Sequence, residues 1–118
     1  MIVKCLPAFA LAVIALSGCA KDPQPLEQLR LTEQVLAQAK AVGADDQVEE
    51  LALAEDKLAR AQKNMAEEDY KRARVLAEQA ELDARLAEAK VLTRKSQEQL
   101  AELNTRIERL RKQVGERP

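Results

Sequence analysis

The chain of 118 residues has no histidine and no tryptophan, and only one phenylalanine and one tyrosine. Without histidine, the commonest general base and the commonest metal ligand are missing. With so few aromatic rings, the stacking platforms of single-strand nucleic-acid binders are missing too. Charge of one sign is also lacking. Lys and Arg number 19 against 20 Asp and Glu, whereas phosphate binding needs a clustered excess of Lys and Arg. Glycine occurs three times, never in a loop that could cradle a phosphate. The length allows one small domain at most.

The polar residues that remain do not assemble an active site. Beyond Ser17 the single serine is Ser96, and no histidine stands ready to activate it. Asp45-Asp46 with Glu49-Glu50, and Glu67-Glu68-Asp69, are acidic clusters. Neither has the alternating oxygen ligands and central glycine of a calcium loop. Both read as solvated helix starts. No catalytic residue, metal site or diffusible cofactor is therefore expected, and an enzyme is not.

One hydrophobic run stands out, Leu6 to Leu16, preceded by Lys4. As a helix it would span about 16 Å, short of the ~30 Å of a hydrocarbon core. Lys4 in front and Pro7 inside argue against a buried core helix. The pattern is that of a signal peptide with a small-residue cleavage site, residues 1–18. Leu16-Ser17-Gly18-Cys19 resembles the lipobox of bacterial lipoproteins. That resemblance implies peptidase recognition of Leu16, Ser17 and Gly18 and cleavage after Gly18. It also implies diacylglycerol on the Cys19 thiol and a further acyl chain, palmitate or similar, on its new amine. Cys5 would leave with the signal, so no disulfide would remain; a Cys5–Cys19 bridge would need both retained. Several acyl chains anchor stably where one binds reversibly. Ala20, where aspartate would signal inner-membrane retention in enteric bacteria, implies the periplasmic face of the outer membrane.

From Cys19 onward, Ala, Glu, Leu, Arg and Lys supply well over half of the residues, the composition of long helices and coiled coils. The fold expected is all-α: a short helix, then a hairpin whose long third helix has coiled-coil character. Residues 19–25 form the lipidated cysteine and a linker stiffened by Pro23 and Pro25. Residues 26–114 form the helical domain, and 115–118 a disordered tail. Helix one is expected over Leu26 to Val42, with Leu26, Leu29, Val35, Leu36 and Val42 on its apolar arc. Gly43 supplies a left-handed stop, and Asp45 or Asp46 a cap for the next helix. Helix two runs from about Gln47 to Met65 on a seam of Leu51, Ala54, Leu58, Ala61 and Met65. Helix three starts near Asp69 on a seam of Tyr70, Ala73, Ala77, Ala80, Ala84, Ala87 and Val91. The seams are out of phase, since continuing the first would turn Glu68, Arg72 and Gln79 inward. The chain is therefore expected to turn back at Ala66–Asp69 rather than run as one helix from Gln47 to Val114.

Leu100, Leu103, Ile107, Leu110 and Val114 keep a 3-4 rhythm, as positions a and d of a coiled coil. Leu86, Ala89, Thr93 and Ser96 extend it backward. The tail either folds back on helices one and two or offers this seam to a partner. Arg106 and Arg111 flank it at positions g and e. Two copies paired in parallel would set arginine against arginine, and two tails paired antiparallel in register would do the same. The expected partner is therefore a protein with acidic flanking positions, with a homo-oligomer as the alternative.

Gly43-Ala44, Glu50-Leu51, Asp69-Tyr70-x-x-Ala73 and the Leu/Ala run from Leu76 to Ala87 resemble a family of small bacterial lipoproteins. Those proteins carry an Ala/Leu-rich helical domain of unknown function over the stretch matching Pro25 to Lys90. In some relatives it precedes an OmpA-like, peptidoglycan-binding domain, for which this chain is too short. Glu68 stands where the family has glycine. Ala61 to Ala80 also resembles one tetratricopeptide hairpin, but a solenoid needs about three. The lipobox and Ala/Leu heptads resemble Braun-type murein lipoprotein as well, without the terminal lysine that attaches it to peptidoglycan. The function expected is that of a lipid-anchored, non-catalytic structural or interaction module of the envelope. A homo-oligomeric spacer and a holdase-like chaperone are the alternatives.

Overall fold

A computed structural model describes residues 22–115 of the chain. Helix α1 spans Leu26–Ala41, α2 spans Glu49–Ala66 and α3 spans Tyr70–Gly115. There is no strand among the described residues. At 1.5 Å per residue the 46-residue α3 is about 69 Å long. The expected signal segment and Cys19 lie outside the described residues, as do residues 116–118.

Each connection is a helix-ending motif that satisfies otherwise orphaned backbone groups. After α1, the Gly43 N–H donates to Lys40 O at 2.9 Å and the Ala44 N–H to Ala39 O at 3.0 Å. This double bond is a Schellman cap, which needs a left-handed residue between its donors. Gly43 supplies it with φ 103°. After α2 the same motif recurs: the Glu68 N–H donates to Met65 O and the Asp69 N–H to Asn64 O. Here a glutamate takes the left-handed position, with φ 61°. Asp69 then caps α3, its Oδ1 accepting from the Arg72 N–H at 3.1 Å. The turn between Ala66 and Asp69 is therefore present, and the unbroken helix is not.

The core is a ladder of small residues. Ala54, Ala61, Ala73, Ala77, Ala80, Ala84 and Ala87 are fully buried, with Leu51, Leu58, Leu76 and Val91 between them. Alanine seams let helix axes come close, so α3 packs along both α1 and α2. Thr32 is the one buried polar side chain of the described residues. Its Oγ1 lies 2.8 Å from Gln28 O and 3.0 Å from Ala77 O, so burial leaves it satisfied. Ion pairs clasp the rim: Lys57 to Asp83 at 2.6 Å and Lys40 to Glu55 at 2.5 Å. Lys90 pairs with Glu50 across α2 and α3.

Several details differ from the sequence expectation. Leu26 is exposed, because at about 100° per residue it points away from the arc that buries Pro25, Leu29, Thr32, Val35 and Ala39. Neither Asp45 nor Asp46 caps α2. The N-cap is Val48, and Asp45 Oδ1 instead accepts from the Gln47 N–H within the loop. Gly115 is the last residue of α3 rather than the start of a separate tail.

Candidate functional site: the uncovered face of the third helix

Helix α3 is two structures in sequence. Over residues 70–91 it is the spine of the hairpin. Over 92–115 every residue is exposed, because α1 and α2 have ended. The α1–α2 loop closes the top of the bundle on the last shared turn. There Lys95 Nζ donates to Val42 O at 2.6 Å, and Val91 is 1% exposed. The tail does not fold back on the hairpin.

The tail seam is therefore open. Leu100 is 61% exposed, Leu103 52%, Ile107 45%, Leu110 59% and Val114 71%. Ile107, Leu110, Arg111, Val114 and Gly115 line a shallow apolar depression at the tip. Charged groups hold the flanks. Arg106 pairs with Glu102 on its own helix at 2.5 Å. Arg111 has no ion-pair partner among the described residues.

The same stripe continues down the hairpin. Leu86, Leu82 and Val75 follow the tail rhythm backward through Ser96, Thr93 and Ala89, and all three large residues are exposed. At about 100° per residue, the buried Ala84 lies roughly 160–200° round the helix from Leu86 and Leu82. So α3 carries two apolar faces. An alanine face is covered by α1 and α2, and a leucine face is covered by nothing among the described residues. Sequence reasoning found the stripe from Leu86 onward and missed Val75 and Leu82. The 3-4 spacing extends to Leu82 directly and to Val75 through Gln79.

The opposite end of the hairpin carries the chain toward residue 19. Arg74 donates to Pro23 O at 3.2 Å, and Gln24 donates to the Tyr70 hydroxyl at 3.1 Å. The linker thus lies against the start of α3, at the end farthest from the tail. Two carboxylates near the stripe are held below the ordinary carboxylate range. Glu81 accepts first from Gln28 and then from Arg85. Glu50 accepts from Lys90. Both are rim groups whose partners bridge helices or turns. No cluster of metal-ligating residues occurs among the described residues. No described helix is long and apolar enough to cross a membrane.

Residues 27–103 match the domain of unknown function DUF4398. The chain belongs to the DUF4398 family. A crystal structure of a DUF4398 family protein from Pseudomonas aeruginosa PAO1 is 69% identical to it. The match covers 80% of this chain and 98% of that one, with a TM-score of 0.78. No curated protein matches. The DUF4398 region takes in the whole hairpin and the first part of the open stripe, through Leu103. Ile107, Leu110 and Val114 lie beyond it.

Proposed function

We propose that this DUF4398 protein is a lipid-anchored, non-catalytic interaction module of the bacterial cell envelope. The hairpin is its mount and the leucine face of α3 its working surface. The observation that carries the reading is that face: two groups of large apolar side chains, Val75 to Leu86 and Leu100 to Val114, stand open to solvent on one helix, with a smaller, more polar stretch between them. Exposed apolar surface of this extent costs solubility and marks a contact site. The lipobox-like Leu16-Ser17-Gly18-Cys19 supports the anchor, and Ala20 supports sorting to the periplasmic face of the outer membrane. Diacylglycerol and an N-acyl chain on Cys19 would be the only attached groups.

The test is mass spectrometry of the protein isolated from membranes. The expected product starts at Cys19 and carries the mass of a diacylglyceryl group plus one acyl chain. Cys19→Ser should leave an unprocessed, unlipidated chain. An unmodified Cys19 in the wild-type protein would overturn the anchor.

A further inference from the structure

The open face of α3 also indicates what covers it. We infer that the occupant is the same face of a second copy, running antiparallel, with Leu82 opposite Val114 and Leu86 opposite Leu110. Such a pairing uses the shape and charge of α3 and does not need the lipid anchor.

Length comes first. The free tail alone offers about two heptads, fewer than the three to four that sustain a coiled coil. Followed down to Leu82, the stripe offers roughly five. A second copy can use all of it, because α1 and α2 sit on the far side of α3. Each tail would then lie on the outer face of its partner's hairpin, where Leu82 and Leu86 stand exposed.

Packing comes second. In an antiparallel pair, a residue at position a of one helix meets position d of the other. With Leu82 on Val114, the following layers are Leu86 on Leu110, Ala89 on Ile107, Thr93 on Leu103 and Ser96 on Leu100. Aliphatic pairs close both ends. In the middle every large side chain meets a small one, and every layer then repeats by symmetry. The small, polar stretch of the stripe thus becomes the complement of its leucine-rich stretch.

Charge decides the register. A parallel pair sets position g against e of the next heptad. It would oppose Glu78 to Asp83, Arg85 to Lys90 and Arg106 to Arg111, so every charged pair would be alike. The antiparallel register above opposes Asp83 to Arg111, Arg85 to Gln113, Lys90 to Asn104 and Arg106 to Leu92. No like charges meet, and Arg111 comes beside Asp83, whose carboxylate also holds Lys57 of its own hairpin at 2.6 Å. Sliding one heptad toward fuller overlap sets Arg85 on Arg106, and sliding one heptad the other way sets Lys90 on Arg111. The arginine conflict that counts against self-association in the tail alone belongs to the tail-on-tail registers. It is absent once the stripe reaches Leu82.

The pairing has an architectural consequence. The two linker ends would stand about 85 Å apart, at opposite ends of a rod. Where Cys19 is lipidated, such a rod lies along the membrane rather than standing on it.

The test uses the full chain in cells, with a photoreactive benzoylphenylalanine at position 107. The expected adduct has twice the chain's mass and joins position 107 to residues around 86–92. On a straight helix those residues are about 27 Å from position 107 of the same chain, so the link must be between copies. Leu86→Glu and Arg111→Glu should each lower its yield about tenfold, with helicity unchanged. Arg106→Glu should leave it within about twofold. An adduct joining position 107 to residues 104–110 of another copy would overturn the register. An adduct with a different protein, or none, would overturn the second copy as occupant.

Discussion

The two halves of α3 share one backbone and one stripe, yet they differ in what the stripe leaves over. Below Val91 the helix has a buried alanine face and an exposed leucine face. Above it only the leucine face remains. The lower half is held by tertiary packing. The upper half is held by helix propensity and pairs such as Glu102–Arg106, each contributing only about 0.2–0.5 kcal/mol. On α3 itself, alanines make up most of the buried face, with Leu76 and Val91, while most of its leucines are left outside. A domain that folds on alanine can hold leucine in reserve for contacts.

Substitutions can break this contrast at either half. The largest effect is expected in the lower one. Ala84→Leu forces a side chain between helices in contact and should cost about 3 kcal/mol of hairpin stability. Leu51→Ala, at a residue 2% exposed, should cost about 2–5 kcal/mol. Ala101→Leu, the same change as the first on the open half, should stay within about 0.5 kcal/mol. Thermal unfolding of dilute protein reads all three, and equal losses in both halves would erase the distinction.

The two caps make a smaller and sharper pair. Gly43→Ala puts a side chain at φ 103°, with Lys95 Nζ 3.4 Å from the new Cβ, and should cost about 1–2 kcal/mol. Glu68→Gly does the reverse at φ 61° and should gain about 0.5–1 kcal/mol. Denaturant midpoints check both, and a loss at Glu68→Gly would mean that the glutamate side chain outweighs its backbone cost.

The smallest effect is on the acid side. Glu81 and Glu50 have carboxyls held below their ordinary value of 4.5 by hydrogen bonds from Gln28 and Lys90. A lowered folded-state pKa stabilises above the unfolded value and is lost as pH falls through the folded one. Stability should therefore decline below about pH 4.5, and Glu81→Gln should flatten part of that decline. A decline unaltered by the substitution would remove Glu81 from the account.

Much of this was legible in the sequence. The phase jump between the Leu51–Met65 and Tyr70–Val91 seams located the turn, because a helix cannot rotate its buried face without breaking. Gly43 marked its cap for the same physical reason that Glu68 obscured one: the left-handed position shows in sequence only when glycine fills it. Thr32 was missed because its burial depends on the Ala77 carbonyl of another helix. Leu26 lies off the arc because the buried face is centred on Thr32, a polar residue that apolar periodicity passes over. The second face of α3 was read only from Leu86 onward. Once the alanine seam had claimed the inside, Val75 and Leu82 looked like ordinary surface residues.

Hydrogen exchange along α3, followed as a function of protein concentration, tests the two-faced helix most directly. Amides of residues 70–91 should be protected at every concentration. Those of 92–115 should exchange rapidly in dilute protein and become protected as copies pair. Protection of 92–115 that is strong and independent of concentration would contradict the two-faced helix, because the tail would then owe its order to its own chain.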